Sequence, residues 1–345
     1  MPDRNEGANK ACIAVFGAAG HTGRFVVAEL MRRGFQPIAI GRSHEALATH
    51  FPGPGILRRE AAADDAAALD RALEGAAAVI NCAGPFLDTA ETVVAAALRA
   101  RIHYLDVSAE QPSTRATLQA FDAAASAAGI VVIPAMGFYG GFADLLVTAA
   151  LGDWPDAERI EIGIGLDSWH PTAGTRITGE RNTARRLVIA GGELVPVAMP
   201  PAETSWAFGA PLGDQAVVAL PFSEIPLVAD HVRTSELHTY LSSVALADIR
   251  NPATPPPEAT DASGRSAQRF VVDAVVQRGG RRRRAVGRGQ DIYAFSAPLL
   301  CETVTHLVEG RFRSAGARAP GAILDAIAIL KALAPDHVTF ELAAG

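Results

Sequence analysis

The feature that most constrains the fold is a run of spaced glycines, Gly17-Ala-Ala-Gly20-His-Thr-Gly23, between a short apolar run and a helical pattern. Gly17 permits a tight turn after a predicted strand at 12–16, and Gly23 lets the following helix pack closely on that strand. Gly20 keeps the backbone open at the start of the helix, where unpaired N–H groups and the helix dipole favour an anion. This spacing between a strand and a helix predicts a binding site for the pyrophosphate of a dinucleotide.

The first 137 residues alternate short apolar runs with helical patterns, as strand–helix–strand units of a parallel sheet do. Asp88 and Glu91 have the spacing of a capping box, so a helix is expected to begin at Asp88. We predict strands at 12–16, 37–40, 56–59, 77–81, 104–107 and 130–133, and helices at 21–33, 64–73, 88–98 and 114–128. This succession predicts a doubly wound Rossmann domain with a parallel sheet over residues 1–137.

The pattern changes beyond about residue 154, where short alternating runs predominate. The predicted strands lie at 158–166, 195–198, 204–208, 216–220 and 237–242, followed by a hairpin of 270–277 and 281–287; the predicted helices lie at 174–189, 291–308 and 320–333. Residues 251–268 are rich in proline, serine and alanine and are expected to form an exposed loop. We therefore predict a second α+β domain over residues 138–319 with a mainly antiparallel sheet.

Composition excludes several classes of partner. Of 345 residues, 49% are hydrophobic and 20% charged, which supplies a packed core, and a net charge of -6 gives no general attraction for nucleic acid or anionic membranes. The one dense basic run, Arg281 to Arg284, is interpreted as a charged hairpin edge that discourages edge-to-edge pairing. The three cysteines lie far apart without metal-ligand spacing, so no metal site is predicted.

Neither end of the first domain predicts a membrane or export signal. Residues 1–10 are polar and lack the apolar core of a secretion signal, so a cytoplasmic protein is expected. Residues 129–151 are strongly apolar, but Pro134, several glycines and Asp144 interrupt them. A buried strand, a loop and a helix explain this stretch better than a membrane span does.

The end of the second predicted strand distinguishes the two nicotinamide dinucleotides. An NAD site places an Asp or Glu there to accept hydrogen bonds from the ribose hydroxyls. This chain has Arg42 and Ser43 at that point, with no carboxylate until Glu45. A guanidinium and a hydroxyl suit a 2′-phosphate, so NADP is favoured over NAD; the alternative is that Arg42 is a solvated loop residue.

Five motifs of the first domain, in this order and spacing, resemble the saccharopine dehydrogenase-like oxidoreductases: GAAGHTGR from Gly17, AIGRS from Ala39, VINCAGPF from Val79, HYLDVSAE from His103 and IPAMGF from Ile133. The second half is similar only in outline. The resemblance implies that the second sheet covers the nicotinamide side, that a final helix at 320–334 packs back on the first domain, and that the chain forms a homodimer. With the glycine motif, it assigns the cofactor to Gly17, Ala19, Gly20, His21, Thr22, Gly23, Arg24, Arg42, Ser43, Asn81, Ala83, Gly84 and Pro85.

The chain departs from that family where catalysis is expected. Its only lysines are Lys10 and Lys331, outside any predicted cleft, so a lysine base is missing, and no tyrosine has a lysine four residues later. The candidates for moving the proton are His170, Tyr139 and Glu110, each of which could instead have a surface or packing role. Asp106 has the alternative of capping backbone N–H groups at the end of its strand.

These observations predict an NADP-dependent oxidoreductase that acts on a small molecule between its two domains. An imine or amino-acid adduct, a carbonyl or an enoyl compound all remain open as substrates. The apolar loop 136–142, which carries no cationic side chain, favours a weakly charged one. The alternative is a non-catalytic NADP-binding scaffold or redox-sensing protein, while Arg42 and the missing Tyr/Lys pair disfavour an isomerase or epimerase with tightly held NAD.

Overall fold

The computed structural model describes residues 11–344, so the polar start at 1–10 lies outside the described residues. The first sheet contains six parallel strands in the order β3-β2-β1-β4-β5-β6, the doubly wound order. Its strands are β1 (Cys12–Phe16), β2 (Gln36–Gly41), β3 (Leu57–Glu60), β4 (Ala78–Asn81), β5 (His103–Asp106) and β6 (Val131–Ile133). Its helices are α1 (His21–Arg32), α2 (His44–His50), α3 (Ala66–Leu73), α4 (Phe86–Ala100) and α5 (Gln111–Ala128). The Rossmann architecture predicted from the sequence is confirmed.

A second sheet of nine strands is antiparallel except where β12 runs parallel to β7. Its main path runs β10-β11-β12-β7-β13-β14-β16, and β8 pairs with β12 and β9. The strands are β7 (Ala157–Leu166), β8 (Leu187–Ala190), β9 (Glu193–Pro196), β10 (Glu203–Ala207), β11 (Asp214–Ala219), β12 (Thr234–Ser242), β13 (Arg269–Arg278), β14 (Arg281–Gln290) and, after the short β15 (Gly316–Ala317), β16 (Val338–Ala344). The mainly antiparallel second sheet predicted from the sequence is confirmed.

The helices of the second half are α6 (Ala143–Leu151), α7 (Ala173–Arg181), α8 (Glu224–His231), α9 (Ser243–Arg250), α10 (Ile292–Val308), α11 (Pro320–Ile323) and α12 (Ala326–Leu333). The long apolar helix α10 packs on α1, and one continuous core includes residues from both sheets. No helix within 11–344 combines the length and the apolar character that a membrane crossing requires.

The chain crosses back to the first sheet near its end. Strand β15 adds to the outer side of β6 as a seventh parallel strand. The region expected to be one helix at 320–334 is two short helices, α11 and α12, which make their main contacts with α6, α8 and α10. We propose the domain boundary near residue 137, with β15 as a return of the chain to the first domain.

Two sequence predictions for the second half are wrong. The stretch predicted as a helix at 174–189 is helical only to Arg181, because Leu187–Ala190 is a strand that a Gly191-Gly192 turn joins to β9. Half of the arginine run, Arg283 and Arg284, does not lie at a sheet edge, because β16 pairs with β14 from Arg283 onward. The guanidinium of Arg283 instead lies 4.1 Å from the centre of the Trp154 ring, and Arg284 forms an ion pair with the buried Asp273.

A buried carboxylate holds the returning segment in place. Asp144, at the start of α6, is fully buried, and one carboxylate oxygen accepts the Gly321 N–H at 2.7 Å while the other lies 2.7 Å from Nε2 of His231. Burial alone would lower the pKa of His231, but the adjacent Asp144 carboxylate outweighs it and the pKa is raised above 6.5. Protonated His231 therefore stabilises the contact between α6, α8 and the end of the chain.

We expect His231→Gln, which keeps a donor but not the charge, to lower the free energy of unfolding by about 1–3 kcal/mol at low pH. Because the folded-state pKa of His231 is raised, its contribution is complete below about pH 6.5 and decreases as the pH rises through the folded value. Urea unfolding of both proteins across this range tests the expectation. A difference between them that is constant or grows with pH would contradict it.

Candidate active site

At the glycine turn, residues 17–23, the ends of β1, β2 and β4 come into close contact with the start of α1. The N–H groups of Gly17 and Ala18 both donate to the carbonyl of Ile40 at the end of β2, at 2.9 and 3.1 Å. Gly17 has a φ of +78°, and a Cβ there would lie 2.9 Å from Cβ of Ala83 after β4. A Cβ on Gly23 would lie 2.4 Å from the Gly17 carbonyl oxygen. Only glycine fits at both positions, which is what lets α1 start directly above the sheet.

The amino end of α1 meets the requirements of an anion site. Gly20 precedes the helix and supplies no side-chain cap, so the first N–H groups of α1 have no side-chain acceptor within the described residues. Arg42 is exposed at the end of β2, where Ser43 caps α2 by accepting the Ala46 N–H at 3.1 Å. A cleft of about 1190 Å³ passes from these residues to the second domain.

Most residues predicted to bind the cofactor line this cleft: Gly17, Ala19, Gly20, His21, Thr22, Arg42, Ser43, Ala83, Gly84 and Pro85. The other three do not, for different reasons. Gly23 is buried at the turn, and Arg24 is exposed beyond it. Asn81 is fully buried, and its side-chain oxygen accepts the Ala83 N–H at 2.9 Å, so it shapes the loop behind the cleft.

Asp106 holds the end of β5 to the loop after β6. One of its carboxylate oxygens accepts the N–H groups of Ser108 and Ala135 at 2.9 and 2.7 Å, and the other accepts the Tyr104 hydroxyl at 2.8 Å. Complete burial raises the pKa of Asp106 to about 6, against the effect of these hydrogen bonds. Asp106 therefore caps backbone N–H groups at the end of its strand, which is the alternative to a catalytic role given in the sequence analysis.

Glu110 lines the cleft, but both of its carboxylate oxygens are occupied. They accept the N–H groups of Phe86 and Leu87, at 2.8 and 3.2 Å, and so cap α4 from the neighbouring strand end. Burial raises the pKa of Glu110, against these two hydrogen bonds. The capping box predicted at Asp88 is wrong, because α4 begins at Phe86 and Glu110 caps it. Asp88 instead forms an exposed ion pair with Arg181.

Tyr139 lies in the wall of the cleft, in a tight turn at 138–142. Gly140 has a φ of +151°, and a Cβ there would lie 2.5 Å from the Ala135 carbonyl oxygen, so this turn requires the glycine. The Tyr139 ring packs against Trp169 and Phe222, with ring centres 4.9 and 4.3 Å away, and these two rings lie 6.2 Å from each other. Its hydroxyl is buried without a hydrogen-bond partner in the described residues, and burial raises its pKa well above 10.

The loop after β7 was expected to contribute His170 to the cleft, but it contributes Trp169 instead. The indole N–H of Trp169 donates to the hydroxyl of Tyr293, at 3.0 Å, and this hydroxyl also lies 3.0 Å from Oγ1 of Thr175. His170 is half-buried and does not line the cleft.

Sequence reasoning missed three residues of this wall. Tyr293 comes from the first turn of α10, and Phe222 and Arg186 come from loops of the second domain. The ring of His21 packs edge-on against Tyr293 with ring centres 5.3 Å apart, and its Nε2 is buried without a partner in the described residues. Burial lowers the pKa of His21. The three missed residues lie outside the five motifs of the first domain, so the fold alone brings them together.

Comparison with known proteins identifies the first of the two domains. Residues 13–133 match the family model described as the saccharopine dehydrogenase NADP binding domain. The first domain is therefore similar to the NADP-binding domain of saccharopine dehydrogenases. The resemblance predicted from the sequence motifs is therefore confirmed, and the glycine turn, the α1 start and Arg42 all belong to this domain or lie at its cleft. None of the curated proteins matches the chain by sequence.

Solved structures extend the likeness to the whole fold. Apo saccharopine dehydrogenase (L-Glu forming) from Saccharomyces cerevisiae superposes with a TM-score of 0.67 at 11% identity, over 97% of this chain and 100% of that one. GenD2 from gentamicin A biosynthesis, in complex with NAD, covers 99% of both chains at 15% identity with a TM-score of 0.45. The first likeness shows that the two-domain arrangement of this chain is that of the yeast enzyme.

We expect Gly23→Ala to lower the free energy of unfolding by about 1–3 kcal/mol, because the added Cβ cannot avoid the backbone of Gly17 and Ala18. NADPH affinity should fall with it, since the start of α1 must shift. Gly53→Ala is the matched control, because a Cβ there would meet nothing within 4 Å. Urea unfolding and NADPH titration measure both effects, and an NADPH-binding Gly23→Ala protein of wild-type stability would disprove the packing argument.

Proposed function

We propose that this oxidoreductase uses NADP(H) to reduce or oxidise a small molecule in the cleft between its two domains. A nicotinamide cofactor supplies or accepts a hydride when it is bound. The observation that carries the proposal is the continuity of the cleft, which joins the uncapped start of α1 to the aromatic wall around Tyr139. A dinucleotide site and a small-molecule site would share one continuous cleft there.

NADP rather than NAD is supported by Arg42. Its guanidinium forms no ion pair within the described residues, and it lines the cleft beside Ser43. The acidic residues that line the cleft, Asp64, Asp88 and Glu110, follow β3, β4 and β5 rather than β2. The usual acceptor for the ribose hydroxyls of NAD is thus replaced by a cation that suits a phosphate.

Tyr139 is the side chain proposed to hand a proton to the substrate. Its hydroxyl has the raised pKa of a buried phenol and stays protonated at neutral pH, so it can donate. In the reducing direction the O–H bond breaks, the proton joins the substrate heteroatom or carbon that gains electron density, and solvent later restores it. Glu110 has no free oxygen for this role, and His170 does not line the cleft.

The scaffold alternative is less well supported. A purely structural cofactor site has no use for a buried phenol without a hydrogen-bond partner, because such a group costs about 1–3 kcal/mol and is retained where a ligand supplies the partner. The homodimer and the cytoplasmic location stay predictions.

We expect Arg42→Ala to weaken NADPH binding roughly 10- to 100-fold, the value of a charged hydrogen bond, and to leave NADH binding unchanged. Calorimetric titration of both nucleotides measures this. Arg71→Ala, which removes an exposed arginine of α3 outside the cleft, is the matched control. Equal losses for both nucleotides would refute the role of Arg42, and a wild-type protein that binds neither would refute the oxidoreductase proposal.

We expect Tyr139→Phe to reduce kcat about 100-fold or more while NADPH affinity is preserved. Its free energy of unfolding should be unchanged or higher, because the lost hydroxyl has no partner among the described residues. NADPH oxidation with a panel of carbonyl, imine and enoyl compounds measures turnover, and Tyr240→Phe, outside the cleft, is the control. Full activity of Tyr139→Phe would exclude Tyr139 as the donor, and a wild-type protein inactive on the whole panel would favour the scaffold.

A further inference from the structure

The second domain contributes one arginine, Arg186, to the wall of the cleft. Arg186 lies between α7 and β8 and lines the cleft. Its guanidinium carbon lies 4.6 Å from the centre of the Phe222 ring, and Nη1 donates to the Pro221 carbonyl at 2.7 Å. Trp169, Tyr139 and Phe222 thus form one cluster of rings, and the Arg186 guanidinium lies on the Phe222 ring of that cluster.

The charge of Arg186 has no ion-pair partner within residues 11–344. Its remaining nitrogens, Nε and Nη2, form no hydrogen bond with any described residue, and both stay accessible to solvent. The groups that face it are Tyr139 and Glu224. One oxygen of Glu224 accepts the Phe222 N–H at 2.7 Å, and the other is buried with no hydrogen-bond partner among residues 11–344; Glu224 does not line the cleft.

The first domain holds this arrangement rigidly. Gln111, at the start of α5, donates to the carbonyls of Leu187 and Phe222 at 2.9 and 2.8 Å and accepts the Leu187 N–H at 2.7 Å. It therefore fixes the backbone next to Arg186 and the backbone that carries the ring beneath it. A cation that is partly buried, unpaired and fixed in position is costly to the protein alone and is offset by an anion.

We propose, on the basis of the oxidoreductase function proposed above, that Arg186 binds a carboxylate of the substrate and makes the enzyme specific for acids. The side chains next to Arg186 are the rings of Phe222, Tyr139 and Trp169, so the substrate has an apolar body with one acidic end. This differs from the weakly charged substrate expected from loop 136–142. Loop 136–142 carries no cationic side chain, but the fold places Arg186 of the second domain in the same cleft.

The test compares hexanoate with hexanamide, which has the same shape without the charge, as ligands of the NADP⁺-saturated protein by calorimetry. We expect hexanoate to bind at least about 10-fold more tightly than hexanamide. Arg186→Gln should abolish this preference and Arg186→Lys should retain part of it, with NADPH affinity unchanged in both. Arg185→Gln, an exposed neighbour, is the matched control and should keep the full preference.

Equal binding of the two ligands, no binding of hexanoate, or a preference that survives in Arg186→Gln would overturn the inference. Tighter binding of hexyl phosphate than of hexanoate would also overturn it, because the site would then be one for phosphate. If Arg186→Gln fails to fold, the wild-type comparison and Arg186→Lys decide the matter. These outcomes are separate from the proposed function, which fails only if NADPH itself does not bind or supports no turnover.

Discussion

The cleft depends on how closely α1 approaches the first sheet. The absence of side chains at Gly17 and Gly23 lets the helix start directly over the ends of β1 and β4, with the turn bonded to the carbonyl of Ile40. On its other side α1 is held by α10, and Arg33 of the α1 terminus forms ion pairs with Glu29 and with Glu302 of α10. The free N–H groups at the start of α1 are thereby fixed in space, as an anion site requires.

The second domain supplies the rest of the cleft with side chains that the Rossmann domain lacks. Loops at the ends of its sheet contribute rings of the aromatic cluster and the arginine beside it. Gln111 and Glu110 lie at the start of α5 and make opposite connections, Gln111 to the second domain and Glu110 to α4. The first domain thus positions both sides of the cleft through the ends of its own strands.

The sequence predicted the part of the site that is local. The glycine turn, Arg42 and the strand ends around Asn81 lie in short segments whose geometry follows from adjacent residues, so their pattern was readable. Tyr139 was found because its loop follows a predicted strand.

The side of the cleft that the second domain forms could not be predicted from the sequence. Arg186 and Phe222 are 36 positions apart in the chain and meet only through the pairing of β8 with β12 and the contacts of Gln111. The helix predicted over 174–189 even placed Arg186 in the wrong kind of element, because the β-branched run that forms β8 was read with helical periodicity.

A crystal structure of the protein with NADP⁺ tests the central claim most directly. The account predicts the pyrophosphate at the start of α1, hydrogen-bonded to its first N–H groups, the 2′-phosphate beside Arg42 and the nicotinamide in the part of the cleft that Tyr139 lines. A dinucleotide bound elsewhere, or in this cleft with its adenosine end at Tyr139, would contradict it.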